Sequence, residues 1–244
     1  MTQLNPHISV DCVIFGFDTH QLKVLLIERE RIAQEDPLIP SGIMKLPGNL
    51  ILINEDIDSS AYRVLKELTG LDNIFLKQLE VFGKPDRLSN PNDLMWLKVT
   101  TGLQIERVVT IAYYSLVKIH ESSLQDHIEG KTSWIPVEKI PQLAFDHNII
   151  VDKALNTLRK ELRTEPIVFE LLPKKFTIRQ LQNLYEIILG FTLDSRNFRK
   201  KISKLEYLIP LQEKEIGVNH KPAQYYKFDR KTYTRQQKEL EFVI

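Results

Sequence analysis

The sequence predicts two domains of different class, an α/β domain over residues 1–164 and a winged helix over residues 165–244. Three observations predict this. In the first segment, long β-rich apolar runs bracket a helix-patterned stretch. In the second, two helix-patterned stretches joined by a tight turn are followed by two short β-like runs. The charge divides at the same place. Residues 165–244 hold 15 Lys+Arg against 10 Asp+Glu, a net +5, and residues 1–164 hold 18 against 22, a net −4. The whole-chain charge of +1 is the sum of two opposed halves.

Ile8–Phe17 and Leu22–Ile27 flank the polar turn Asp18–Gln21, which predicts a β-hairpin. Arg29–Met44 is a long, irregular connection. Ser59 or Ser60 is placed to cap a helix that runs to Thr69, with Ala61, Val64, Leu65 and Leu68 at helical spacing and Gly70 to stop it. Arg107–Ile119, rich in β-branched and aromatic residues, predicts another strand, and His147–Arg163 a helix leading to the boundary. Pro166 marks that boundary, because proline disfavours the α conformation in the residue before it. With 43% hydrophobic and 27% charged residues, the composition is that of a soluble globular protein. No apolar run approaches the roughly 20 residues of a membrane span, and the start has no basic region followed by an apolar one. A cytoplasmic location is therefore expected. The single cysteine, Cys12, excludes an internal disulfide framework and a cysteine-rich zinc site.

The segment Leu46-Pro47-Gly48-Asn49, with Glu55 and Arg63-Val64-Leu65-Lys66-Glu67-Leu68-Thr69-Gly70-Leu71, resembles the Nudix box. Glu55, Arg63, Leu65, Glu67, Gly70 and Leu71 fall on matching positions, while Asn49 stands at the opening glycine. Val64 and Leu68 stand where the family has metal-holding glutamates. The resemblance implies a Nudix-like α/β/α sandwich around a mixed sheet. In the family those glutamates hold Mg²⁺ against a diphosphate, and Mg²⁺ demands oxygen ligands in near-octahedral geometry. Val64 and Leu68 are i and i+4, so one helix face becomes apolar. Glu67 alone would hold Mg²⁺ weakly, and Glu55 with Arg63 is expected to form a structural ion pair. The expectation is a domain without catalysis, metal or cofactor. The rival reading is a Mg²⁺-dependent hydrolase of ADP-ribose or another nucleoside diphosphate derivative.

In the basic segment, Thr177–Leu189 has Ile178, Leu181, Leu184, Tyr185 and Ile188 at helical spacing before Gly190. Asp194 is a natural N-cap for a second helix, Ser195–Leu205, whose Phe198, Ile202 and Leu205 face inward. Its other faces carry Arg196, Asn197, Arg199, Lys200, Lys201 and Lys204 and no acid, which is the pattern of a DNA-reading helix. Tyr207–Leu211 and Gln224–Phe228, joined by Gln212–Ala223, make the wing. Arg196, Asn197 and Arg199 suit base edges. Lys200, Lys201, Lys204 and the wing residues Lys214, His220 and Lys221 suit phosphates.

A degenerate Nudix domain followed by a winged helix resembles the Nudix-related transcriptional regulators, the NrtR and AraR-like group. Besides the box, the resemblance rests on Phe82-Gly83 with Asp86-Arg87, on Phe145-Asp146-His147, on Phe169-Glu170-Leu171-Leu172-Pro173 and on Asn197-Phe198-Arg199-Lys200. It implies a homodimeric, effector-responsive regulator that binds a palindromic double-stranded operator, with no membrane partner. NrtR members sense ADP-ribose-like nucleotides, and AraR-like members bind L-arabinose. The box context and the first strand, Val10-Asp11-Cys12-Val13-Ile14-Phe15-Gly16-Phe17, resemble the AraR type more, so a pentose is the expected effector and ADP-ribose the alternative. Lys84, Asp86, Arg87, Tyr113, Asp146 and His147 are the candidate effector contacts. A third arrangement is a DNA-binding protein whose Nudix-like domain serves only dimerisation.

Overall fold

The computed structural model describes residues 3–33, 42–119, 132–162, 165–217, 219 and 221–241, in two units, Met1–Lys160 and Glu161–Ile244. The first unit is built on β1 (Leu4–Phe17). Two strands share one edge of β1. β2 (Leu22–Glu28) pairs antiparallel with Phe15–Phe17, and β4 (Gly48–Leu52) pairs antiparallel with the stretch from Leu4 to Asp11. On the other edge β6 (Val109–Lys118) runs parallel to β1 from Ile8 to Phe17. β5 (Lys77–Phe82) lies outside β6, while β3 (Met44–Lys45) and β7 (Thr132–Pro136) pair with β2, completing a mixed seven-stranded sheet.

Side chains alternate across β1. Val10, Cys12 and Ile14 pack with Ala61, Val64 and Leu65 of α1 (Ile57–Thr69). Asp11 points to the opposite face, where α3 (His147–Glu161) begins. The cap of α1 is Asp56, whose carboxylate accepts from Ser59 N at 2.9 Å, rather than Ser59 or Ser60. Ser60 is buried and directs its hydroxyl to Glu55 instead. A helix that the sequence pattern did not predict, α2 (Pro91–Thr101), is set by its ends: Asn90 caps it, Pro91 opens it and left-handed Gly102 closes it. Its apolar residues are spread around the helix, so no amphipathic stripe announces it. Arg163, the expected last residue of α3, lies outside the described residues.

The second unit is a winged helix. β8 (Phe176–Thr177), β10 (Gln224–Phe228) and β9 (Leu208–Lys214) form a three-stranded sheet in that order. α4 (Ile178–Leu189) starts with a reciprocal Thr177–Gln180 capping box and ends at left-handed Gly190. α5 (Ser195–Ile202) is capped by Asp194 and buries Phe198 and Ile202; it stops before Leu205 because Ser203 already terminates it. Gln182 and Glu186 hold the intervening turn, with Gln182 Nε2 donating to Leu193 O at 3.1 Å and Leu193 N donating to Glu186 Oε1 at 2.7 Å. Phe169 stacks on Phe228 at 4.4 Å, with Tyr207 and Tyr233 around them. Tyr233 belongs to α6 (Arg230–Glu241), a second helix that sequence periodicity did not announce. Among the described residues, no helix is long and apolar enough to cross a membrane.

Gly16 sits where a Cβ would lie 2.5 Å from both Ile119 Cδ1 and Trp134 Cζ3. Gly16→Ala is expected to cost about 1–3 kcal/mol by overpacking, read as a lowered urea midpoint. An unchanged midpoint would mean that this side of the sheet repacks freely.

Candidate functional site

The two strands on one edge of β1 diverge between Asp11 and Phe15, and the fork opens a cavity of about 350 Å³ on the Asp11 face. That volume is at the small end of ligand sites. The Asp11 carboxylate is buried there, which is costly unless it is bonded on several sides. Thr110 Oγ1 donates to Asp11 Oδ2 at 2.6 Å and in turn accepts from Ser9 Oγ at 2.7 Å. His147 Nε2 lies 3.4 Å from Asp11 Oδ1, and Arg87 Nη2 lies 3.9 Å from Oδ2.

His147 is neutral in this setting. Its Nδ1 accepts from Leu46 N at 2.9 Å, which leaves Nε2 to carry the proton toward Asp11. Burial pushes its pKa down to about 4, outweighing the attraction of Asp11. Burial likewise lowers Lys45 to about 8, although Asp11 opposes the shift. Lys45 Nζ donates to Gly48 O at 2.9 Å.

Across the cavity, Trp96 of α2 lies between two cations. Arg29 Cζ is 5.6 Å and Lys45 Nζ 5.7 Å from its ring centre, within cation–π range. Asp93, one turn earlier on α2, has a buried carboxylate that accepts from Arg29 Nη1 and from Phe145 N, each at 2.7 Å. Phe145 holds the left-handed conformation at φ 58°, which a bulky side chain adopts only at a cost. Its ring meets Trp96 edge-on at 6.2 Å and His147 at 5.2 Å.

The structure brings together some of the expected effector residues and separates others. Arg87 and His147 line the cavity. Asp146 is held in a bidentate pair by Arg87, at 2.8 and 3.1 Å, and so braces the wall. Lys84 and Asp86 are exposed in the turn after β5. Tyr113 lies in the core beneath α1, its hydroxyl bonded to Asp58 and its pKa raised by burial and by that carboxylate. Those three do not line the cavity because β6 alternates and the turn faces outward. Sequence reasoning missed Asp11, Arg29, Lys45, Asp93 and Trp96 as site residues. A signal existed for Asp11, a charge inside an apolar strand.

Within the box, Arg63 grips Glu55 with two bonds of 2.8 Å and reaches Glu67 at 3.0 Å. Ser60 adds a third donor, and together they hold Glu55 at about 2. Val64 is fully buried, and Leu68 lines the cavity.

In the second unit, Arg196, Asn197, Arg199, Lys200 and Lys201 on α5 are exposed, as are Lys204 after it and Lys214 and Lys221 on the wing. His220 lies outside the described residues. A cleft of about 670 Å³ between α5 and the wing is lined by Arg199, Ser203, Lys221 and Gln224, joined by Arg179 of α4.

These two units define a class, a Nudix-like mixed sheet with helices followed by a winged helix. Residues 168–228 match the NrtR DNA-binding winged helix domain. The chain is 29% identical over 233 residues to the ADPR responsive transcriptional repressor NtrR of Acinetobacter baylyi, covering 94% of this chain and 84% of that one. Shewanella oneidensis NrtR, crystallised with a 27mer DNA, is 25% identical with a TM-score of 0.66, over 93% of this chain and 95% of that one. An ADP-ribose pyrophosphatase of Methanocaldococcus jannaschii is 27% identical over 148 residues, 61% of this chain and 72% of that one. The chain is thus homologous to the NrtR repressors and carries an NrtR-type winged helix over residues 168–228. The resemblance to the AraR type, drawn from the box and first strand, gains no support from these relatives.

The depressed pKa of His147 has a consequence for stability. The unfolded chain takes up a proton near pH 6.5 and the folded chain only near 4, so stability is full above 6.5 and falls as pH drops toward 4. His147→Asn should flatten the pH dependence of the urea midpoint in that window. An equally steep fall in the variant would show that His147 is not its source.

Proposed function

We propose that the protein is an ADP-ribose-responsive DNA-binding repressor whose Nudix-like domain binds its effector without hydrolysing it. The observation that carries this is the cavity at the β1 fork, whose lining sets Arg29, Lys45 and Arg87 beside Trp96, together with the carboxylates of Asp11, Glu28 and Glu30. Clustered cations suit a diphosphate through charge-assisted bonds, and an indole offers a face to a nucleobase. A pentose carries no charge to match them. The Acinetobacter baylyi relative, which aligns with nearly the whole chain, is ADPR responsive, and that favours ADP-ribose over the pentose expected from sequence.

The residues do not fit a catalytic Mg²⁺. Val64 and Leu68 have no oxygen to offer, Glu67 is engaged by Arg63, and Glu55 is saturated by Arg63 and Ser60. Binding without turnover follows from that chemistry. Two copies, each reading half of a palindromic operator, complete the reading, and a cytoplasmic location is consistent with it.

Coupling begins at Asp93. An anionic effector that draws Arg29 toward itself competes with the Asp93 carboxylate, which also holds Phe145 N. Loosening that grip lets the strained turn at Phe145 relax at the start of α3. That helix carries the chain to Glu161, where the second unit begins. The effector thereby acts by differential affinity for two states.

Gel shifts with the full chain and an operator duplex should show DNA affinity changed by ADP-ribose and not by L-arabinose. No ADP-ribose should be consumed with Mg²⁺ or Mn²⁺. A response to L-arabinose alone, or turnover abolished by Glu67→Gln, would overturn the reading. Asp93→Asn should move the effector-free DNA affinity toward the wild-type value at saturating ADP-ribose and shrink the remaining response. An undiminished response in a normally folded variant would remove Asp93 from the route.

A further inference from the structure

The three cations that line the cavity differ in what already holds them. Arg29 donates to the Asp93 carboxylate at 2.7 Å, and Arg87 is held by Asp146 at 2.8 and 3.1 Å. Lys45 is only 7% exposed, yet among the described residues it forms no ion pair with a carboxylate. Its Nζ donates to Gly48 O at 2.9 Å and to Leu46 O at 3.4 Å. An ammonium has three N–H donors, so one of them has no oxygen partner among the described residues. That donor belongs to the cavity wall beside Trp96, whose ring centre lies 5.7 Å from Nζ.

The backbone fixes where this ammonium sits. Lys45 pairs with Ile27 between β3 and β2, Leu46 N donates to His147 Nδ1 at 2.9 Å, and Cys12 N donates to Pro47 O at 2.8 Å. The chain at Lys45 is thus clamped by β2, β1 and the start of α3, and the group is in place before a ligand arrives. The charged and titratable side chains that share the cavity with it are Asp11 from β1, Glu28, Arg29 and Glu30 at the end of β2, Arg87 from the turn before α2, and His147 from α3. Carboxylates and guanidiniums ordinarily change charge far from neutral pH, and His147 does so near 4. Burial brings Lys45 down to about 8, although Asp11 opposes the shift. Of these groups it is the one that titrates just above neutrality.

We propose that Lys45 is the residue through which the cavity selects a negatively charged ligand: its remaining N–H meets a phosphate oxygen of a diphosphate diester, and its charge makes the affinity depend on pH. The proposal rests on the ADP-ribose reading and names, within it, the contact that sets affinity. Arg29 must loosen its hold on Asp93 to reach a phosphate, and Arg87 its hold on Asp146, whereas Lys45 leaves no carboxylate behind. A bound anion favours the charged ammonium. Binding at a pH where free Lys45 is largely neutral therefore takes up a proton.

The test is calorimetric titration of the full chain with ADP-ribose and with the dimethyl diester of diphosphate, which keeps the fixed charges and lacks the nucleoside. Above a pH of about 8 the wild-type affinity for either probe should fall by about tenfold per pH unit. Titrations in buffers of different ionisation heat should show the proton being taken up. Lys45→Met keeps a straight side chain without the charge; it should weaken both probes roughly tenfold to a hundredfold near pH 7 and remove the pH dependence. Lys45→Arg stays charged throughout and should bind with a level profile. A level wild-type profile between about pH 7 and 9.5, or wild-type affinity in Lys45→Met, would overturn the assignment. ADP-ribose bound with a level profile removes Lys45 and keeps the effector. The small diester bound with the falling profile, and ADP-ribose not bound, keeps Lys45 and removes the effector. Failure of both probes to bind removes both.

Discussion

A carboxylate buried in the middle of an apolar strand is the constraint on which the first unit depends. Asp11 cannot be left unpaired at that depth without a penalty of several kcal/mol, so its surroundings are obliged to supply donors. Thr110 comes from β6, His147 from the start of α3 and Arg87 from the turn before α2. Three segments far apart in sequence are thus tied to one point of β1. The same demand fixes Gly48, where a Cβ would lie 1.8 Å from Asp11 Oδ1. The fork in the sheet can then sit beside Asp11, and the cavity follows from the fork.

The box region is held together by its own side chains. Glu55, Arg63 and Ser60 form a closed polar cluster that joins the loop after β4 to α1. None of that depends on a metal. On α1, Val64 belongs to the hydrophobic interior and Leu68 forms a wall of the cavity. Asp93 holds Arg29 and Asp146 holds Arg87, which keeps both cations oriented.

Much of this was legible in the sequence where a periodic pattern and a local stop signal coincide. Val64 and Leu68 one turn apart, Phe198 and Ile202 one turn apart, Gly70 and Gly190 at helix ends, and Asp194 as a cap all reflect forces acting within a few residues. What stayed hidden depends on distant partners. α2 shows no apolar stripe, and besides Leu94 and Leu97 in the core it is anchored by Trp96 and Asp93, which meet Arg29 and Phe145. Tyr113 reads as a pocket residue until the register of β6 against β1 assigns it to the α1 face. Lys45 carries no local mark of its burial, since the fork that encloses it forms only when β2 and β4 both reach β1.

The parallel pairing of β1 with β6 has a consequence for how the chain assembles. Ile8 pairs with Val109 and Phe17 with Lys118, so this edge of β1 closes only after a very long loop has been brought together. The β1–β2 hairpin, by contrast, is local and can form early. On the ribosome, this long and largely buried strand must therefore wait with one edge open until residue 118 has emerged. During that interval it is a template for unwanted pairing. The winged helix has a shorter wait of the same kind, since β8 closes only when β10 has emerged. Synthesis thus leaves the first unit open to misassembly longer than the winged helix.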